Sequence, residues 1–410
     1  MVLNYIWIAF FLIAFVIGLA RLIFLGDVDI FPAMFNSIMD SAKLGFTISL
    51  GLTGAMTLWL GIMKIGEKGG IVHIFYKITG PLLRKLFPSL PPDSKAFGPM
   101  IMNVSANMMG LDNAATPLGL KAMEEMQVHN PNKDTASDAQ IMFLVLNTSG
   151  LTILPISVMV VRAQMGAADP SDIFIPTLLA TYFATLAGII VVSVYQKINL
   201  FSKVILGYLG TLTVLIAGFI WYLSQLPREQ VSTISAVASN LILFSVIISF
   251  ILLAIFKKVN VYESFIDGAK EGFTIAIKII PFLVAMLVAV GVFKSSGALT
   301  YLVDGVKWVV LATGINADFV DALPTAFMRP LSGSGARGMM VSTIETFGVD
   351  SFVGRLSSVM QGSTETTLYV IAVYFGAVNI KKTRYAISAG LIADAVGIIA
   401  AILISYMFFH

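Results

Sequence analysis

SIMDSAKLGFTI, residues 37–48, and SFIDGAKEGFTI, residues 264–275, are identical at eight of twelve positions. Asp40 matches Asp267, Lys43 matches Lys270, and Gly45-Phe46-Thr47 matches Gly272-Phe273-Thr274. Downstream of each copy the same features come in the same order. A proline, Pro99 or Pro324, opens a stretch dense in Gly, Asn, Ser and Pro. A hydrophobic span interrupted by a polar tract comes next, around Asn147–Gly150 and around Gln361–Thr367. Each series ends in an apolar helix, with Ala184 matched to Ala393 and Gly188-Ile189-Ile190 to Gly397-Ile398-Ile399. Chance supplies one such match but not an ordered set, so the chain reads as an internal duplication. The i,i+3 spacing of Asp40 with Lys43 and of Asp267 with Lys270 predicts that these acids anchor helix interfaces through those lysines.

The composition says what surrounds the two copies. Of 410 residues 57% are hydrophobic and only 12% are charged, against about 25% charged in a soluble domain. So few charges cannot cover a water-facing surface of this size, and lipid must face much of the chain. A net charge of +3 gives no footprint for nucleic acid. The absence of cysteine excludes disulfides and thiolate chemistry. His73, His129 and His410 stand far apart with no carboxylate at ligand spacing, which predicts no metal site. The first 25 residues have no leading basic residue and no small-residue cleavage site, and so read as a membrane helix rather than a signal peptide.

A spanning helix takes about 20 apolar residues. Leu3–Leu25, Leu44–Met63, Ile173–Tyr195, Val204–Leu223, Ile234–Phe256, Phe273–Phe293 and Tyr385–Phe408 qualify outright. Ile141–Val161 and Phe352–Val378 are interrupted by polar residues. Pro99–Leu120 and Pro324–Met340 carry enough Gly, Asn, Ser and Pro to break a helix. Ile71–Phe87 and Ala298–Leu311 are amphiphilic enough to lie along the interface. The expected fold is an all-α polytopic membrane protein with broken or re-entrant helices and about nine to eleven transmembrane segments. Residues 1–200 form the first repeat with a leading helix, 201–260 two connecting helices, and 261–410 the second repeat. Basic residues favour the cytoplasm. Placing the cluster from Lys64 to Lys95, the pair Lys197 and Lys203, the pair Lys257 and Lys258, and Lys381, Lys382 and Arg384 inside starts the first repeat outside and the second inside. The loop Arg162–Asp172 holds one basic residue and its counterpart three. That pattern predicts inverted-topology repeats, an architecture that holds its substrate near the midplane.

Four polar tracts lie at membrane depth, two in each half: Asn103–Pro117, Asn147–Thr152, Arg329–Arg337 and Gln361–Thr367. One charge inserted in hydrocarbon costs about 2.5–3.5 kcal/mol on insertion scales, so the tracts are expected to meet around a wet cavity. Asn107, Asp112, Asn113, Asn147, Thr148, Ser149, Ser332, Ser334, Arg337, Ser363, Thr364, Glu365 and Thr366 are the candidate solute-binding residues. Arg337, and Arg329 after it, can grip a carboxylate or phosphate; the competing role is pairing with Asp318, Asp321 or Glu365. Glu365 lies among hydroxyls and suits a cation or a proton, or a helix-locking salt bridge. Asn103, Asn107 and Asn147 taken singly more often lock helices together, and Asp394 reads as structural. Thr116 is expected to cap a helix whose first turn holds Pro117. The methionines of Met100–Met109 read as packing rather than as a copper path.

These tracts also carry a resemblance. Asn107–Met126, NMMGLDNAATPLGLKAMEEM, resembles the spore maturation protein A family. Gln361–Gly376, QGSTETTLYVIAVYFG, together with KKTRY at 381–385, resembles the spore maturation protein B family, so the chain looks like a fusion of the two. Both belong to the nucleoside recognition (Gate) domain family, which is shared with the gates of ferrous iron transporter B and is similar to concentrative nucleoside transporters. The resemblance implies membrane transport or gating, with a link to spore core dehydration. The expected function is an ion-coupled transporter or exporter of a small polar solute: an amino acid, a carboxylate or a nucleoside. The competing reading is a scaffold or gate component in spore maturation or envelope physiology. No Walker A sequence occurs, which points to H⁺ or Na⁺ as the coupling ion with no other cofactor. No His-Glu-x-x-His and no serine elbow with a histidine partner occurs, so an enzyme is not expected. Expected partners are membrane lipid, the solute and further copies of the chain, in the bacterial cytoplasmic membrane.

Overall fold

The computed structural model describes residues 2–108 and 112–410; the side chains of residues 2, 3, 112–114, 228, 229 and 232 lie outside that description. Helices make up the described chain, with one isolated backbone bridge, Thr135 to Lys382. The long ones are α1 (Val2–Leu25), α2 (Ile30–Gly69), α8 (Phe174–Gln196), α11 (Arg228–Phe256), α12 (Val261–Ser295) and α18 (Ala386–Phe409). A short helix α9 (Lys203–Ile205) runs through one π-turn into α10 (Thr211–Ser224), giving a continuous stretch of 22 residues. These make seven helices long and apolar enough to cross a membrane. Their outer faces bear large apolar groups in the open, such as Phe24, Val214, Trp221, Leu241 and Phe244, a surface that water penalises and lipid accepts. The chain is an all-α polytopic membrane protein.

Among the described residues, three of the segments with polar interruptions are broken at the expected places, and the fourth expected break falls outside them. Phe97–Met108 (α4) and Asp112–His129 (α5) flank a gap outside the described residues. Asp138–Ser149 (α6) stops before Ile156–Gln164 (α7), Leu323–Met328 (α14) before Gly333–Phe347 (α15), and Phe352–Gly362 (α16) before Thr367–Ala377 (α17). Ile71–Leu86 (α3) and Ala298–Ala312 (α13) are the two amphiphilic helices. Two local expectations are corrected. Thr116 is no N-cap: α5 already begins at Asp112, and Pro117 sits inside it. The helix-forming pair Ala114-Ala115 carries the helix through a position where one backbone hydrogen bond is lost. Arg162 is not a loop charge either. It lies in α7 with no exposed surface, because its guanidinium finds Val349 and Asp350.

The duplicated motif lies on α2 and α12, and its small residues explain its repetition. A Cβ on Gly45 would stand 3.0 Å from the Cα of Val284, and one on Gly291 would stand 2.2 Å from the Oγ of Ser41. A Cβ on Gly272 would come 2.5 Å from the carbonyl oxygen of Met56, and one on Gly268 would come 2.2 Å from that of Leu60. Small residues at four-residue spacing let membrane helices approach backbone to backbone. Asp267 itself holds Lys68 at 2.7 Å.

Two compact units emerge: Met1–Trp59, Ser157–Pro170 and Ala269–Gln361 form one, and Leu60–Ile156, Ser171–Gly268 and Gly362–His410 the other. In the first, Met286, Val290, Met328, Ala336 and Met339 make one apolar cluster, and Ala14, Ile30, Met34 and Val292 another. Arg162 ties the end of α7 to the loop before α16, donating to the Val349 carbonyl (2.8 Å) and meeting Asp350 Oδ1 at 3.2 Å. The second unit has the larger core, from Leu83 through Phe143 to Ala389. There the segment after α17 is tied to the loop before α6. Lys381 and Lys382 N–H groups donate to the Asp134 carbonyl (2.8 and 3.0 Å), and Arg384 meets Asp138 Oδ1 at 2.8 Å.

Candidate functional site

In the second unit the polar tracts of the two sequence halves meet. The helix α6 is launched by a capping box: Ser137 Oγ accepts from the Gln140 N–H, and Gln140 Oε1 accepts from the Ser137 N–H (2.9 Å). It runs to Gly150, whose φ of 36° belongs to the left-handed region. Beyond it the backbone is irregular as far as Pro155, held in part by the Ile153 N–H donating to the Met108 carbonyl (2.8 Å). The second interruption, Ser363–Thr366, lies beside it: the Glu365 N–H donates to the Thr148 carbonyl at 2.8 Å. Any side chain on Gly150 would meet the Glu365 Cγ at 3.0 Å. The αL backbone and that close approach both require the glycine.

Both interruptions rest on α8 and α18. A Cβ on Gly188 would lie 3.5 Å from Ser149 Oγ, and one on Gly390 would lie 3.5 Å from Thr148 Oγ1. One on Gly397 would press on Thr364 at 2.8 Å. Ser149, Ser363, Thr364 and Thr366 are buried with Thr148, and Glu365 is half-buried. Thr367 Oγ1 donates to Asp394 Oδ2 at 2.6 Å, so Asp394 joins α18 to the start of α17. The hydroxyls of Ser149 and Thr177 are buried without a hydrogen-bond partner among the described residues, which is costly in a packed interior.

Toward α4 the network changes character. Asn107 Nδ2 donates to Asn147 Oδ1 (2.7 Å), Asn103 Nδ2 to the Ala115 carbonyl (2.7 Å), and Asn147 Nδ2 to the Phe143 carbonyl (2.8 Å). Tyr374 Oη bridges, accepting from Asn103 (3.3 Å) and donating to Asn147 (3.4 Å). These asparagines lock helices to one another. Tyr374 was not legible as part of this network, because nothing in the apolar run of α17 marks it.

Ser332, Ser334 and Arg337 belong to the first unit. Ser332 caps α15, its Oγ accepting from the Gly335 N–H at 3.0 Å and lying 3.2 Å from Ser334 Oγ. Ser334 and Arg337 line a cavity of about 110 Å³ with Ile279, Phe282 and Leu283. Arg329 is buried, and Asp321 is held by Lys307 at 2.8 Å. Gln361, at the end of α16, donates to the Gly333 carbonyl at 3.5 Å. The side chains of Asp112 and Asn113 lie outside the described residues.

The family comparison matches the chain in two stretches. The nucleoside recognition (Gate) model matches residues 49–165 and 276–381. The chain belongs to the nucleoside recognition (Gate) family. The two matched stretches begin as far apart as the two copies of the duplicated motif; the first takes in α4 to α6 and the second α14 to α17 of this Gate-family chain. Spore maturation protein B of Bacillus subtilis (strain 168) is 53% identical over 171 residues, 42% of this chain and 94% of that protein. Spore maturation protein A of the same organism is 40% identical over 188 residues, 46% of this chain and 92% of that protein. No solved structure matches.

Proposed function

We propose that this Gate-family chain carries a small polar solute, such as an amino acid, a carboxylate or a nucleoside, across the bacterial cytoplasmic membrane, driven by H⁺ or Na⁺. The observation that carries the reading is the juxtaposition of two helix interruptions at Thr148–Gly150 and Ser363–Thr366, joined by the Glu365 to Thr148 hydrogen bond. Irregular backbone within a membrane span persists only where protein or a cavity surrounds it, and carriers use it to hold solutes and ions on free backbone groups and hydroxyls. Ser149, Ser363, Thr364, Thr366 and Glu365 supply the oxygens. In the first unit, Ser334 and Arg337, beside the first-turn N–H groups of α15, suit an anion. In this reading the chain has no catalytic role.

The test is uptake and efflux of labelled amino acids, carboxylates and nucleosides in proteoliposomes, with Glu365→Gln beside the parent chain. Movement of one class, slowed by the substitution, supports the carrier. Flux of none of them, or flux indifferent to the substitution, removes it. A second reading, a scaffold in spore maturation or envelope physiology, draws on the closed Asn103, Asn107, Asn147 and Tyr374 network and on the relatives' names.

A further inference from the structure

We propose that α3 binds anionic phospholipid, lying in the membrane surface with its basic side chains on the headgroup phosphates. The proposal does not rest on the carrier reading.

One side of α3 belongs to the protein. Gly80, Leu83 and Leu86 are buried, α4 and α9 pack against the helix, and Tyr208 Oη donates to the Ile78 carbonyl at 2.9 Å. The exposed residues form a single arc on the other side. At 3.6 residues per turn, His73, Lys77 and Arg84 fall within about 40° of one another along one edge of it. Pro81, Ile74, Lys85 and Ile78 follow around the helix over about 60° more. Gly70 lies on the same arc, one turn earlier, and a Cβ there would stand 2.2 Å from Lys257 Nζ. The residue after α11 thus brings a further ammonium to the start of α3. From Gly70 to Arg84 the row of cations extends about 20 Å along the axis.

The charge of this face calls for an anion. From Gly70 to Ala96 the chain holds Lys77, Arg84, Lys85 and Lys95 against one acid, Asp93. Among the described residues no ion pair occupies Lys77, Lys85 or Lys257. Lys64 and Lys68, at the end of α2, are by contrast paired with Glu67 at 3.0 Å and Asp267 at 2.7 Å. Arg84 is fixed in place: it donates to the Pro92 carbonyl at 3.0 Å, and its guanidinium lies 4.9 Å from the centre of the Phe97 ring. It remains exposed, with further N–H donors for a phosphate.

The apolar part of the arc says which anion. Ile74 and Ile78 are 38% and 53% exposed, and Phe201, just before α9, is 84% exposed. A soluble polyanion would leave these groups in water, whereas a leaflet of acidic lipid takes apolar side chains and cations together. The other amphiphilic helix, α13, supplies the contrast. It exposes Tyr301, Trp308 and Val309, but its sole lysine or arginine, Lys307, is held by Asp321 at 2.8 Å. Such a face suits the interface and has no cation left to select a charged headgroup.

The experiment uses the full chain, which has no cysteine of its own. Pro81→Cys, in the middle of the arc, carries a bimane fluorophore. The labelled chain is placed in phosphatidylcholine vesicles that contain equal fractions of either brominated phosphatidylglycerol or brominated phosphatidylcholine, and the quenching is compared. Phosphatidylglycerol should quench several-fold more effectively at low salt. Lys77→Gln, Arg84→Gln and Lys85→Gln should each lower that preference by up to about fivefold. Potassium chloride at about 1 M should abolish it, since the screening length falls to about 3 Å. Lys77→Arg and Lys85→Arg should retain it, which a loss caused by misfolding would not predict, and Lys133→Gln, an exposed lysine after α5, should leave it unchanged. Inorganic phosphate in place of chloride at equal ionic strength should not release the lipid. Equal quenching by the two lipids, quenching by neither, or a preference that survives high salt or removal of all three cations overturns the proposal. So does displacement by inorganic phosphate, which would make the face a site for a free anion.

Discussion

Replacing Gly268 with alanine tests whether the duplicated motif exists to bring α2 and α12 together. The added Cβ would lie 2.2 Å from the Leu60 carbonyl oxygen, 2.6 Å from the Lys64 Cβ and 2.9 Å from the Leu60 carbonyl carbon. Carbon atoms rest about 3.5–4.0 Å apart, so the shortfall is about 1 Å, and two of the three obstacles are backbone. The helices must part locally, at an overpacking cost of about 1–3 kcal/mol. We take the upper half of that range, because a carbonyl cannot rotate aside as a side chain does. Against it stands alanine's advantage over glycine inside a helix, about 1 kcal/mol. Gly218→Ala in α10 isolates that advantage, because nothing lies within 4 Å of its added Cβ. The propensity term is common to both variants, so their difference is the steric term, about 2–3 kcal/mol. Thermal unfolding in lipid nanodiscs should place Gly268→Ala below the parent chain and Gly218→Ala at or above it. Equal stability of the two variants refutes the close crossing. Gly272→Ala, facing the Met56 carbonyl at 2.5 Å, should behave like Gly268→Ala.

Arg162→Met should cost about 2–4 kcal/mol in the same assay. It takes a fully buried partner from the Val349 carbonyl and from Asp350, whose own side chain is 34% exposed and so recovers part of the loss in water; an unchanged midpoint rules out the clasp. Ser137→Ala should cost about 1 kcal/mol by opening the α6 capping box, whereas Ser388→Ala, an exposed serine inside α18, should be nearly neutral. The Thr135 hydroxyl, and after it Lys382, hold the Asp134 carboxyl below its ordinary range. A carboxyl depressed in the folded state stabilises above its unfolded value, about 3.9, and loses that contribution as pH falls through the folded value. Thr135→Val should therefore be less stable than the parent at pH 6, with the gap closing below about pH 4. A gap that is constant with pH contradicts this pairing.

The spans were legible because each depends on about 20 consecutive residues, and the same signal located three interruptions among the described residues, after α6, α14 and α16: polar residues crowd where helix hydrogen bonds stop. Gly150 illustrates the part carried locally, a glycine after Asn147-Thr148-Ser149 that takes the left-handed conformation. Pairings between distant segments were not legible. Arg162 looked like a loop charge because nothing near it in sequence announces Asp350, its partner 188 residues on. Asp267 sits three residues from Lys270 and yet holds Lys68 across to α2, because side chains at a crossing answer to the neighbouring helix. The asparagines gave an ambiguous signal of their own, since helix lock and solute ligand draw on the same residue. In the structure Asn107 donates to Asn147, and Asn103 to the Ala115 carbonyl.

The duplicated motif also makes a topological prediction that this cysteine-free chain is suited to test. Within the first unit, Ser41, Gly45 and Met56 of α2 approach Gly291, Val284 and Gly272 of α12. One series rises as the other falls, so the two helices are antiparallel. Copies of one motif that run in opposite directions require an even number of crossings between the end of α2 and the start of α12. The helices α8, α10 and α11 supply three, so the α4–α5 and α6–α7 segments together must supply an odd number. A hairpin that re-enters and returns at α4–α5, with an interrupted helix that crosses at α6–α7, meets the requirement. It also puts the basic residues Lys95, Lys197, Lys203, Lys257 and Lys258 all on one face, as cytoplasmic loops demand. Single cysteines placed by Asp93→Cys, Asn132→Cys and Phe201→Cys should react with an impermeant maleimide only after the membrane is opened, whereas Ala168→Cys should react in intact cells. Reaction of the Asp93→Cys and Asn132→Cys variants from opposite sides, together with reaction of Asn132→Cys and Ala168→Cys from opposite sides, would make both α4–α5 and α6–α7 crossing segments. The crossings would then be odd in number, and the antiparallel meeting of α2 and α12 could not occur in the membrane.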